Sequence, residues 1–257
     1  MATLTSWRRH ALRSSAIIAL MTIWEGTARS GHVSTFLLPP LTSVLSRLAQ
    51  DVFAGDFATS AGLTLFRTAV GFGIAAVFGI LLGVLIARVS IFRWFFDPLV
   101  SVGLPTPKIA FLPIFVLWFG VFDASKIWMA AFNAIFPVIV ATWAGTQAVD
   151  KFVLWSASGM GASRTRVSWD VALPAALPSI LTGLQIALPI ALIVTVVSEM
   201  ASGSEGLGGA MILSMRMADS LGVFSGLIGT AIVGQALLSA MQLGRQRLLS
   251  WHEETQS

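Results

Sequence analysis

Cysteine is absent from the 257 residues, which removes disulfides, zinc-thiolate sites and thiol nucleophiles together. Charge is scarce: Asp, Glu, Lys and Arg make up 11% of the chain, less than half of the roughly 25% typical of a soluble domain. With 56% hydrophobic residues and a mean hydropathy of +0.83, an ordinary soluble enzyme is excluded, and so is a disordered chain. Histidine is limited to His10, His32 and His252. They lie far apart, and no H-E-x-x-H occurs, so an intramembrane metalloprotease has no ligands and no metal is expected. No G-x-x-x-x-G-K-[ST] occurs either, so this chain cannot cradle ATP in a P-loop. The net charge of +4 and pI near 10.6 would suit nucleic acid if the basic residues were clustered. They sit instead at the ends of apolar runs, which points to lipid and not to nucleic acid.

What is present is apolar length. A bilayer core needs about 20 mainly apolar residues per helix, and six segments approach this: 11–28, 62–87, 95–118, 124–147, 171–200 and 222–244. The expectation is an all-α polytopic membrane protein of six helices in one domain over 1–257, with the core bundle at 62–247. The first span is the shortest, uninterrupted only from Ala16 to Trp24. A signal peptide is the other reading there, but Glu25 and Arg29 stand where small residues are wanted for cleavage. With the N-terminus inside, the inner side holds Arg8, Arg9, Arg13, Arg88, Arg93, Lys151, Arg164, Arg166, Arg245 and Arg247. The outer side holds only Arg29, Arg47, Lys126 and Arg216. The positive-inside rule therefore puts both termini in the cytoplasm.

Within the second span, Gly71, Ala75, Gly79, Gly83 and Ala87 recur every four residues. They form a smooth stripe on one helix face, suited to close helix packing within the bundle or to a subunit contact. Acidic residues in the spans are limited to Glu25 and Glu199 near predicted ends and Asp97 at an entrance. A proton-coupled transporter usually buries its carboxylates deeper. Two basic residues fall inside spans. Arg67 lies towards the outer end, as a snorkelling or ion-paired residue. Lys108 lies about 13 residues into its span, roughly 20 Å deep. Pro105 and Pro107 break the helix just before it. Lys108 is either turned to a partner such as a backbone carbonyl or is a cation lining a pathway. Glu199, about 28 residues or roughly 42 Å beyond Val171, is expected at the outer mouth as a gate residue.

The stretch 148–170 is too long for a simple turn between antiparallel helices. Val153 to Arg164 read as a short amphipathic helix ended or bent by glycine. A basic turn and a proline-started membrane helix follow. This loop resembles the EAA motif of ABC-importer permeases: EAA, three residues, Gly, nine residues, Ile, one residue, Leu-Pro. Gly161 takes the glycine, Val171 the isoleucine, and Leu173-Pro174 the final pair, without a spacing error. Trp155 stands in place of the motif glutamate and Ser156 in place of its first alanine; Ala157 is retained. Other segments agree with the family. They are Trp24-Glu25 with Leu38-Pro39-Pro40, Arg67 with Gly71, Pro107 to Pro113, Trp118-Phe119-Gly120, and Ser198-Glu199-Met200 with Gly206-Leu207-Gly208. The resemblance covers nearly the whole chain and is closest to the nitrate, sulfonate and taurine branch.

This resemblance implies a type I importer permease (MetI-like) architecture in the inner membrane. It implies a transport subunit without catalysis of its own, moving a small anionic solute. Two such permeases, as a homodimer, would form the pathway. A periplasmic binding protein would deliver solute, and a cytoplasmic ABC ATPase, holding the ATP, would seat the loop. The coupling residues it implies are Trp155, Ser156, Ala157, Gly161, Ala162, Ser163, Arg164, Leu173 and Pro174. A six-helix secondary transporter or channel, not coupled to an ATPase, is the other reading that the spans allow.

Overall fold

The computed structural model describes residues 6–249, and among them there is no β-strand. Residues 1–5 and 250–257, which carry His252 and both ends of the expected topology, lie outside the described residues. The chain runs α1 (Ser6–Arg29), α2 (Leu41–Ala54), α3 (Asp56–Arg88), α4 (Ser90–Gly103), a 3-10 turn (Lys108–Phe111), α5 (Leu112–Phe119) and α6 (Asp123–Gln147). Then come α7 (Lys151–Gly159), α8 (Arg164–Arg166), a π turn (Val167–Ala172), α9 (Leu173–Ala175), α10 (Leu177–Ser202), α11 (Leu207–Arg216) and α12 (Ser220–Leu248).

Among the described residues, four runs are long and apolar enough to cross a bilayer: α3, α6, α10 continuing into α11, and α12. The other two expected spans need correction. Segment 95–118 is not one helix, because α4 and the run into α5 meet at 97°. Pro105 and Pro107 supply no N–H and force the break. Counted together, that bent pair is a fifth span. Segment 11–28 does form a helix, α1, but Arg13, Glu25 and its serines and threonines leave it short of the sustained apolar length of the others. Its far end is tied down nonetheless. Trp24 Nε1 donates to the Pro39 carbonyl at 2.9 Å, and Glu25 accepts from the backbone N–H and the hydroxyl of Thr42 at the start of α2.

The core is the three-helix contact of α3, α6 and α10. With no water to expel between lipid-solvated helices, close backbone approach carries the packing, and small residues permit it. Ala75, Ala130, Ala134, Val138, Ala187 and Ala191 are buried together where the three meet. The glycine stripe of α3 faces α6 of the same chain. A Cβ added at Gly71 would lie 2.7 Å from the Ile127 carbonyl, at Gly79 2.8 Å from Val138 Cβ, and at Gly83 2.6 Å from Thr142 Cβ. α10 closes on α6 in the same way through Gly183, whose added Cβ would overlap Ala141.

This arrangement predicts a contrast along one helix. Gly83→Val must push α3 from α6 and should destabilise the bundle by about 1–3 kcal/mol, the usual cost of overpacking. Gly73→Ala, where nothing lies within 4 Å, should be neutral or stabilise by up to about 1 kcal/mol through helix propensity. Thermal aggregation of the detergent-extracted protein reads both, and equal effects at the two positions would contradict the packing.

Candidate functional site

At one end of the bundle the chain leaves α6, and Asp150 caps the next helix by accepting from the Phe152 N–H at 2.8 Å. α7 then stops at Gly159, about one turn beyond Trp155. Ala162 N–H donates to the Ala157 carbonyl at 3.1 Å and Gly161 N–H to the Ser158 carbonyl at 3.0 Å. This pair of bonds is a Schellman stop, with Gly161 at φ +88° in the left-handed position that the stop needs. Ala157 packs inward, while Trp155 is 64% exposed beside exposed Phe152, Ser156 and Met160. The Phe152 and Trp155 rings meet edge to face at 5.6 Å. Of the other motif residues, Ala162 and Leu173 are half-buried, Ser163 and Pro174 are exposed, and Arg164 opens α8.

The motif's second half connects this helix to α10. Leu173 N–H donates to the Ser168 carbonyl, five residues back, which widens the turn before Pro174. Pro174 and Pro178 bring no N–H, so the turn ahead of α10 is hydrogen-bonded more loosely than a regular helix. Arg88 Nε, at the end of α3, donates to Ser168 Oγ at 3.3 Å and ties this run to the bundle.

The opposite end holds a buried charge cluster. The Glu199 carboxylate, with no exposure, accepts from Arg67 NH1 at 2.7 Å, Thr64 Oγ1 at 2.9 Å and Gly208 N–H at 3.0 Å. Thr64 Oγ1 in turn accepts from Leu207 N–H at 2.9 Å. Arg67, 3% exposed, also donates to the Glu205 carbonyl at 2.6 Å and pairs with Asp123 through Nε and NH2 at 2.7 and 2.6 Å. One guanidinium therefore joins α3, the first residue of α6, α10 and the turn into α11. The turn is shaped to the carboxylate. Gly206 sits at φ +116°, and an added Cβ there would overlap the Glu199 side chain. Lys126, counted above with the outer-side basic residues, is wholly buried one turn into α6; its Nζ bonds the carbonyls of Val121 and Phe122.

Sequence reading singled out Arg67 and Glu199 separately, but not their pairing, nor Thr64, Asp123 and the buried state of Lys126. The one available signal was the glycine cluster Gly206, Gly208 and Gly209 just after Glu199. Lys108 lies apart from both ends, at the break between α4 and α5. Its Nζ bonds the carbonyls of Gly103 at 2.8 Å and Leu104 at 3.0 Å, and stands 4.7 Å over the Phe136 ring.

Comparison with known proteins places this architecture. The profile of the family described as "Binding-protein-dependent transport system inner membrane component" matches residues 75–248. The taurine transport system permease protein of Escherichia coli is 30% identical over 254 residues, covering 97% of this chain and 92% of its own. The putative aliphatic sulfonates transport permease protein of Bacillus subtilis is 31% identical over 245 residues, covering 95% and 88%. Among solved structures, one titled "Crystal structure of an amino acid ABC transporter with histidines" superposes with a TM-score of 0.61 at 19% identity, covering 80% of this chain and 97% of that one. A helical bundle, an exposed motif helix at one end and relatives of this coverage converge on one assignment. The chain belongs to the binding-protein-dependent transport system inner membrane components, as a multi-pass, non-enzymatic permease subunit of an ABC importer that works with an ATPase and a solute-binding protein.

Proposed function

We propose that two copies of this chain form the membrane pathway of an importer for a small anion of the sulfonate class, embedded in lipid with both termini in the cytoplasm. In this reading α7 and the turn at Gly161 seat in a groove of the cytoplasmic ATPase. Glu199 and Arg67 lie towards the periplasmic face, where the binding protein delivers solute, and hold the turn that gates it. The observation that carries the reading is the exposed Phe152–Trp155 edge of a helix whose start and stop are both capped, so that a rigid apolar surface is presented to a partner. The ten-to-four excess of Lys and Arg supports the orientation. The solutes named for the two relatives, taurine and aliphatic sulfonates, support the substrate class.

The test reconstitutes the chain in vesicles with its ATPase and binding protein. Uptake of radiolabelled taurine or an alkanesulfonate is expected only when ATP is present on the ATPase side, and a reporter fused after Ser257 should be active only in its cytoplasmic form. Uptake driven by an ion gradient without ATP would refute the coupling. A reporter active only in the periplasm would refute the orientation.

A further inference from the structure

The break between α4 and α5 lies about halfway between the two ends of the bundle. α4 starts with only Val89 between it and the end of α3, at the α7 end, while α5 leads into α6 at the end holding the Arg67–Glu199 cluster. The corner between them rests on Phe136, midway along α6: an added Cβ at Gly103 would overlap that ring, and Lys108 Nζ sits 4.7 Å above it. Segment 104–107 is therefore non-helical backbone about midway along the bundle, which puts it near mid-membrane when the bundle spans a bilayer. Side chains in and around it lie open on the chain's surface, with Val102 69%, Leu104 49% and Ile109 37% exposed, Pro105 and Pro107 exposed beside them and Thr106 half-buried.

Such backbone is tolerated at membrane depth only where protein covers it or where it borders water. Lys108 sharpens the requirement. Its ammonium holds the carbonyls of Gly103, Leu104 and, at 3.4 Å, Thr106, while Thr106 Oγ1 donates to the Val102 carbonyl at 2.7 Å. These bonds complete the end of α4, yet among the described residues no carboxylate forms an ion pair with Lys108, and the residue is only half-buried. A cation without a counter-charge in mid-membrane is too costly to face lipid and marks an aqueous route.

We infer that the corner 103–108 lines the solute pathway, facing the same corner of a second copy across water, and that Lys108 is the specificity-determining residue that favours anions there. The inference rests on the importer reading above and names the part of the chain the solute passes. Lys108 acts in two ways: it closes the carbonyls of the broken helix, and it leaves one positive charge at the narrow middle of the route, where the low-dielectric surroundings prolong its reach. A broken helix at the midplane is also where transport proteins of other architecture bind their solutes.

The absence of native cysteine makes the test direct. Thr106→Cys and Ile109→Cys are made singly, with Trp94→Cys, 81% exposed on α4, as the lipid-facing comparison. Each is assembled with the ATPase and binding protein in vesicles and treated with an anionic (sulfonatoethyl) or a cationic (trimethylammonioethyl) methanethiosulfonate. Labelling is read on this chain by mass, each rate being divided by that reagent's rate with a free thiol in solution. Positions 106 and 109 should label and 94 should not. The anionic reagent should react at least about fivefold faster, the effect of one unit charge at close range even in water. Adding Lys108→Met should abolish that preference, and Lys108→Arg should retain it. No labelling at 106 and 109, or a preference that survives Lys108→Met, would overturn the inference. ATP-driven sulfonate uptake is measured on the same vesicles. An unlabelled corner in vesicles that import removes this inference alone, whereas a labelled, anion-preferring corner without ATP-driven uptake removes the importer reading and leaves the corner as a water-lined route.

Discussion

Glu199→Gln is expected to lower the stability of the folded chain by about 3–5 kcal/mol, the range found when one member of a buried ion pair is removed. The cluster holds two cations, Arg67 and Lys126, and two anions, Glu199 and Asp123, and three of the four are fully or almost fully buried. Glutamine keeps the size and can still accept from Thr64 or Gly208, so the loss isolates the charge. Arg67 would then face only Asp123, whose side chain is 48% exposed, with Lys126 close by. Asp123→Asn should cost far less, at most about 1 kcal/mol, because the Asp123 carboxylate lies at the rim, where water screens its charge. The double change Arg67→Met with Glu199→Leu removes a charge of each sign and should recover a large part of the stability. It cannot restore the bonds to Gly208 and, through Thr64, to Leu207. Two readouts therefore separate: thermal aggregation in detergent should recover in the double variant, while hydrogen exchange at Gly206–Met211 should stay fast. Wild-type stability in Glu199→Gln would show that the pair does not hold the fold.

That pairing marks the boundary of what one sequence discloses. The long apolar runs gave away α3, α6, α10 and α12 because a bilayer demands uninterrupted length, and the four-residue glycine period named the face of α3 that meets α6. The motif loop was legible for a different reason: its stop needs a glycine at one place, so the spacing to Gly161 carries the geometry. Apolarity, however, has no direction. The run 95–118 is hydrophobic throughout, and nothing in its hydropathy reports the 97° bend; only Pro105 and Pro107 hinted at it. Lys126 counted as an outer-side charge because a linear tally cannot see a side chain folded back on its own preceding carbonyls. Arg67 and Glu199 are 132 residues apart, and each alone resembled a residue near a span end. The broken helix shows the same limit for Lys108, whose partners are the carbonyls that its neighbouring prolines expose.

Gly161→Val is expected to uncouple ATP hydrolysis from uptake more strongly than any other single change in the motif helix. The reason is backbone conformation, not space. A Cβ at Gly161 would meet nothing within 4 Å, but φ is +88°, a region that costs an ordinary L-residue roughly 1–2 kcal/mol. A β-branched side chain is the least tolerant of it, and asparagine among the most tolerant. The order of damage should therefore be Val, then Ala, then Asn; an order set by volume alone would place Asn beyond Ala. Uptake per ATP hydrolysed is the measure, because a misdirected α7 can still touch the ATPase without transmitting its closure. Trp155→Ala tests the contact itself. The family's glutamate would offer charge, whereas this indole offers apolar area and one N–H donor. Its loss should weaken binding of the detergent-extracted chain to the ATPase by about 2 kcal/mol, on the order of thirtyfold in Kd, as for a central aromatic anchor. The wild-type affinity should change little between low and moderate salt, since apolar packing is not screened. Steep salt dependence would point to a charge-driven interface, and unchanged coupling in both Gly161→Val and Trp155→Ala would take the helix out of the mechanism. If the two variants instead divide the effect, with Trp155→Ala losing affinity and Gly161→Val losing coupling at near-normal affinity, then the exposed edge of α7 grips the ATPase and the glycine stop sets the direction in which its motion is passed to α10.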